Sequence, residues 1–207
     1  VEKIDYKKTL AEFYRPSATR VVAVDVPAMN FLMIDGQGEP VASQAFQEAV
    51  ESLYPVAYTL KFMIKKGPTA LDFGVLPLEG LWWADDMDDF VSGRKDRWKW
   101  TLMIMQPSVI TAEMVTAAIS QVRSKKNPPA LAALRFERFE EGLSAQILHK
   151  GPFDEEGPTI QKMHQFIEAG GGRLTGKHHE IYLNDFRRTA PERLKTVLRQ
   201  PFQSSKG

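Results

Sequence analysis

The stretch KHHEIYLND, Lys177 to Asp185, places two imidazoles, a carboxylate and a phenol on neighbouring residues. Read as a β-strand, it puts His178, Glu180, Tyr182 and Asn184 on one side and His179, Ile181 and Leu183 on the other. The second side reads as core. The first sets a potential base beside a phenolic donor, so it is either a wet sheet surface or the floor of a ligand cleft. A glutamate on an open sheet face is as readily solvated, or paired with a cross-strand base, as it is functional.

Other constellations exclude common chemistries. The four histidines, His149, His164, His178 and His179, lack H-E-x-x-H spacing and have no cysteine beside them, so no metal centre and no cofactor are expected. GGRLTGKH resembles a phosphate loop, but His178 stands where Ser or Thr is required, and the segment runs from helix to strand; a helix cap and turn are expected. Asp85, Asp86, Asp88 and Asp89 lack the Gly and terminal Glu of a calcium loop and read as a solvated turn. No G-x-S-x-G elbow occurs. Aromatic residues are more suggestive. Trp82 and Trp83 in PLEGLWW, with Trp98 and Trp100 in RWKW, lie on two strands expected to be adjacent. Alternation sends Trp82 and Trp83 to opposite faces, so at least one ring should face away from the helices. Trp82, Trp83, Trp100, Tyr58, Phe62, Phe31 and Phe153 are candidates for the wall of a pocket or for core.

These side chains must be positioned by mixed elements. IDYKKTLAEFYRPSATR reads as a short helix stopped by Pro16, an appendage over residues 1–20. VVAVDVPAMNFLMIDGQGEP reads as one or two strands, and VASQAFQEAVESLYPVAYTLKFMIKK as a long amphipathic helix kinked at Pro55 and ended by Gly67-Pro68. Strands LDFGVLPLEGLWWA and RWKWTLMIMQP follow, then a helix capped by Thr111 and ended at Asn127-Pro128-Pro129. LAALRFERFEEGLSAQILHKGP alternates on both sides of Glu141-Gly142 and predicts a hairpin. A helix over TIQKMHQFIEAGG and the KHHEIYLND strand complete the pattern. The fold expected is α+β: one domain over 21–207, made of two repeated strand-helix-strand-strand halves, about 21–126 and 127–207, with antiparallel sheets around a central cleft. Helices would cover one side of each sheet and leave the other for the cleft.

Composition sets bounds on partners. In 207 residues, 27 Lys+Arg against 26 Asp+Glu give a net charge of +1, so no global field favours nucleic acid or an anionic membrane. The absence of cysteine fits a reducing compartment. No apolar run approaches the roughly 20 residues of a membrane span, and the opening residues lack a signal-peptide core, so a soluble cytoplasmic chain is expected. Composition does not indicate an oligomeric state.

PLEGLWW, WTLMIMQP and HHEIYLNDFRRTAPERLKTVLRQP together resemble the stand-alone GyrI-like proteins, relatives of the effector-binding domains of multidrug-sensing regulators. The resemblance extends from about Val21 to Phe202. It implies paired strand-helix-strand-strand repeats around a cleft that holds bulky, planar, hydrophobic compounds, with a buried glutamate on the last strand, where Glu180 stands. With no DNA-binding segment ahead of the domain, direct nucleic-acid binding is not expected. Members of this kind are linked to hydrolysis of cyclopropane-bearing DNA-alkylating natural products, whereas the original GyrI protein inhibits DNA gyrase. The first activity assigns Glu180 as the base for water addition, its pKa raised by aromatic walls, and Tyr182, or secondarily Tyr58, as donor to the developing oxyanion. A non-catalytic drug-binding protein, with Glu180 pairing to cationic ligands, is the alternative, and gyrase inhibition a third.

Overall fold

The computed structural model describes residues 2–40, 42–86 and 92–205, so Asp88 and Asp89 of the acidic turn lie outside the described residues. In chain order the elements are β1 (Glu2–Ile4), α1 (Tyr6–Thr9), α2 (Ala11–Tyr14), β2 (Val22–Val26), β3 (Met29–Gln37), α3 (Gln44–Lys66), β4 (Leu71–Phe73), β5 (Leu78–Trp83) and β6 (Lys99–Gln106). They continue with α4 (Ala112–Lys125), β7 (Arg135–Phe139), β8 (Gly142–Lys150), α5 (Gly157–Ala169), β9 (Arg173–Leu174), β10 (His178–Tyr182) and β11 (Lys195–Gln203). The chain divides into two units: Val1–Thr9, Met29–Leu76 and Trp82–Phe139 in the first, and Leu10–Ala28, Pro77–Leu81 and Glu140–Gly207 in the second. The α+β class holds, and the repeat is visible as β3-α3-β5-β6 and β8-α5-β10-β11, each with a short extra strand after its helix.

In the first unit, β3 pairs antiparallel with both β6 and β7. Phe46, Ala49, Val50, Leu53, Val56, Ala57, Leu60 and Ile64 recur at helical spacing on α3 and are buried. Ser43 caps this helix by accepting from the Phe46 N–H. Pro55 lies within it and supplies no N–H to the ladder. Phe46 stacks on Trp82 at 6.2 Å and meets Trp100 edge-on at 5.6 Å, so those two indoles sit on the α3 side of their strands. Gly36 lies across from Trp100 in the ladder. A Cβ on Gly36 would fall 2.1 Å from the indole, so only glycine leaves the ring its place. Thr111 caps α4 through the Met114 N–H, and Asn127, with φ of 38°, closes it in the left-handed region.

In the second unit the strand order is β2-β8-β11-β10-β5, with Leu78–Leu81 of β5 at one edge and β9 beside β11. Ala145, Ile147 and Leu198 on the sheet pack against Met163 and Ile167 of α5.

Three expectations are corrected. β7 and β8 do not form a hairpin: β7 pairs with β3 and β8 with β2. Each strand of the pair finds its ladder in a different unit, although only Glu140 and Glu141 link them and Gly142, with φ of 72°, has the conformation a tight hairpin would use. Alternation identified the strands but carried no information about partners. The opening segment is not an appendage, for Phe13 and Tyr14 are buried in the second unit, while β1 pairs in parallel with β4 in the first. The boundary near residue 126 is replaced by the interleaved division above, since β2 and β7 each pair with a strand of the unit opposite to their sequence neighbour.

Candidate functional site

Strand β10 is antiparallel to β11, with His179 opposite Arg199, Glu180 opposite Leu198 and Tyr182 opposite Thr196. Residues directly across a ladder share a face, so Glu180 and Tyr182 lie on the side of Leu198, the side covered by α5. This corrects the expectation that Glu180 faces away from the helices. Both sides of β10 are enclosed, with His178, His179, Ile181 and Tyr182 all buried.

On the α5 side, His178 Nε2 lies 3.0 Å from Glu180 Oε1 and Tyr182 Oη donates to Glu180 Oε2 at 2.8 Å. The pairing of Glu180 with Tyr182 anticipated from strand alternation is therefore a direct hydrogen bond. Glu156, immediately before α5, sets a second carboxyl beside Glu180 and Thr196. Burial pushes the Glu180 carboxyl up, but the hydrogen bonds from His178, Tyr182 and Glu156, with the charge of His178, hold it below the ordinary glutamate range. Burial and the adjacent Glu180 charge instead push Glu156 up to about 10. The raised value expected for Glu180 thus belongs to its neighbour. Phe153, Tyr182 and Phe186 form an edge-to-face trio with centroids 5.5 to 6.0 Å apart, which walls this carboxylate with rings. The Glu180 side chain retains 16% exposure.

The other side of β10 carries a network absent from the sequence reading. His179 Nδ1 is 2.5 Å from Glu141 and Nε2 is 2.8 Å from Glu79. Arg199 donates to Glu141, Gln146 and the Phe13 carbonyl, and Tyr14 Oη donates to Glu79 at 2.6 Å. Burial pulls the His179 pKa down, but the two carboxylates more than offset it and raise it to about 9. Glu141 is held below its ordinary range despite burial, by the charges of His179 and Arg199. Two cations meet two carboxylates, so the cluster is neutral, and side-chain exposures of at most 2% at His179, Glu79, Glu141 and Arg199 mark it as architecture. Glu79 in PLEGLWW and Arg199 in TVLRQP are lone charges inside apolar strands, a pattern that signals a buried pair. Glu156, in an acidic bend, had no such signal.

The remaining aromatic candidates separate. Trp82 and Trp100 are core around Phe46, Phe31 is buried edge-on to Phe139, and Trp83 is half-buried. Tyr58 and Phe62 are exposed on α3, at 48% and 47%. A cavity of about 520 Å³ in the second unit is lined by Lys150, Asn184, Arg188, Arg193 and Lys195 among others, and does not include Glu180. Among the described residues no group of three His, Asp or Glu could hold a metal ion, and no helix is long and apolar enough to cross a membrane.

Comparison with known proteins places this architecture. An uncharacterized conserved protein from Listeria innocua is 42% identical, with a TM-score of 0.86, over 97% of this chain and all of its own. A hydrolase from Listeria innocua is 43% identical, with a TM-score of 0.84 over 97% of this chain and all of its own. The C-terminal domain of EcmrR shares the fold at 12% identity and a TM-score of 0.55, over 89% of this chain and 98% of its own. No curated protein matches the sequence. Residues 20–202 match the GyrI-like small molecule binding domain, and the chain belongs to that family.

Proposed function

We propose that the protein binds bulky, planar, hydrophobic compounds and hydrolyses cyclopropane-bearing alkylators by adding water to the strained ring. The observation that supports this reading is Glu180: a carboxylate kept ionised near neutral pH, walled by Phe153, Tyr182 and Phe186, and still partly accessible. The 43% identity to a Listeria innocua hydrolase supports the reaction class. In the reaction, Glu180 takes a proton from water as the water oxygen bonds to the strained carbon. The C–C bond breaks, its electron pair enters the conjugated dienone, and the resulting phenolate receives the equivalent of the proton that Glu180 took, which restores the carboxylate and leaves a net gain of one water. Tyr182 donates to the developing phenolate oxygen, exchanging its hydrogen bond to Glu180 for one to the substrate. Such a reaction asks for a base and good positioning more than for many catalytic groups.

A single buried negative charge beside aromatic rings also suits a lipophilic cation, which is the binding-only reading. The test is to incubate purified protein with a cyclopropane-dienone compound and follow its mass. A gain of one water that falls roughly 100-fold or more in Glu180→Gln, with binding retained, is the expected result. Saturable binding with the compound recovered unchanged would overturn the hydrolase reading and favour the binding protein.

A further inference from the structure

Glu180 has three polar neighbours on the α5 side: His178, Tyr182 and Glu156. Tyr182 can only donate to a carboxylate, and it does so at Oε2; His178 Nε2 faces Oε1. The third neighbour is another carboxyl. Two carboxyls form a hydrogen bond only if one keeps its proton, and Glu180 is already occupied as an acceptor. No donor reaches Glu156 Oε1, which is buried. A buried carboxyl oxygen that no donor reaches costs less on a neutral acid than on a carboxylate. Glu156 is 4% exposed and anchored at the start of α5 by Gly157 and Pro158, so it neither turns to solvent nor follows a mobile loop.

We infer that Glu156 is a positioning residue protonated through neutral pH, whose carboxyl O–H donates to Glu180 and makes the two a unit with one negative charge. The inference rests on the reading of Glu180 as the base of the proposed reaction. Glu156 does not surrender its proton during turnover. It supplies, from α5, the donor that keeps Glu180 ionised and oriented while Tyr182 leaves to follow the substrate oxygen. The groups facing the pair are His178 and Tyr182 on β10, Thr196 on β11 and His164 on α5, which lies near His178. His149 on β8 is engaged by Thr159 and the Pro152 carbonyl, and Asp154 and Glu155 are exposed. None of these supplies a second cation to neutralise two carboxylates, which is why one proton stays. The pKa of Glu156, raised to about 10, agrees.

The experiment combines carboxyl-carbon NMR of glutamate-labelled protein with turnover of Glu156→Gln and Glu156→Leu. One glutamate carboxyl is expected at the protonated position at pH 7, and its signal should vanish in Glu156→Gln. The amide of that variant still donates to Glu180, so turnover should stay within about threefold of wild type, and the loss of activity near pH 10 should disappear. Glu156→Leu removes the donor; its turnover should fall at least 10-fold and the acid limb of its pH profile should move upward. The inference is overturned if no glutamate is protonated at pH 7, if the signal survives in Glu156→Gln, or if Glu156→Gln loses turnover as fully as Glu180→Gln. If the wild-type protein binds ligand without hydration while the signal behaves as stated, the hydrolase reading fails and the proton assignment stands.

Discussion

Both ring nitrogens of His179 face carboxylate oxygens, Glu141 at Nδ1 and Glu79 at Nε2. A neutral imidazole carries one N–H and can satisfy only one of them, whereas imidazolium donates to both. His179 should therefore remain charged through neutral pH, with its pKa raised from 6.5 to about 9. A group whose folded pKa is raised contributes stability that is fully present below the unfolded pKa, here near 6.5, and is lost as pH rises through about 9. At 1.36 kcal/mol per pKa unit, the loss across that window is about 3 kcal/mol, a large part of the margin of an ordinary domain.

Two measurements check this. In an NMR titration, the His179 ring, assigned by its absence in His179→Gln, should report imidazolium at pH 8. Urea unfolding of the wild-type protein should show stability falling between pH 6.5 and 9. Glu156, raised from 4.5 to about 10, gives a slope of the same sign through that window, so the ring titration and not the total slope isolates the His179 share. A His179 ring that is neutral at pH 7 would refute the reasoning, because a proton would then have to sit on Glu79 or Glu141 and the two-cation, two-anion balance would be wrong.

The remaining predictions concern packing and ligand contact. Tyr14→Phe removes a buried donor to Glu79 and should cost about 1.5–3 kcal/mol in urea unfolding, with the denaturant slope unchanged. Gly36→Ala drives a Cβ into the Trp100 ring and should destabilise by at least 1–3 kcal/mol, part of which Trp100→Phe should restore. Phe46→Ala should cost about 3–5 kcal/mol, since the ring is wedged between Trp82 and Trp100. Phe62→Ser, at an exposed position, should change stability by less than about 0.5 kcal/mol, so that any several-fold loss of affinity for a planar ligand reports contact and not unfolding.

What could be read in the sequence follows from what local periodicity encodes. The 3.6-residue spacing of Phe46, Leu53, Val56 and Leu60 fixes the buried face of α3, and period-two alternation fixes the relation of Glu180 to Tyr182, because both are properties of one element. Partner choice is not such a property. Val26 and Met29 are separated by only Pro27 and Ala28, yet Val26 pairs with Gly142 and Met29 with Phe139. That exchange of strands between units, like the identity of the helix-covered face, depends on contacts far apart in sequence. The protonation pattern has the same origin. Aromatic walls around Glu180 suggest a raised pKa if burial alone is considered, but a carboxylate responds to the sum of burial and donors. His178 and Tyr182 could be counted on β10, whereas Glu156 reaches the site only because α5 begins there. The strand alone presents a buried acid; the fold supplies a neighbour that takes the proton, leaving Glu180 as the charged member of the pair. In the hydrolase reading proposed above, a base that is ionised from the outset needs no deprotonation step before it acts, so its hold on water would be set by geometry, and the positions of Glu156, His178 and Tyr182 would be the quantities that tune it.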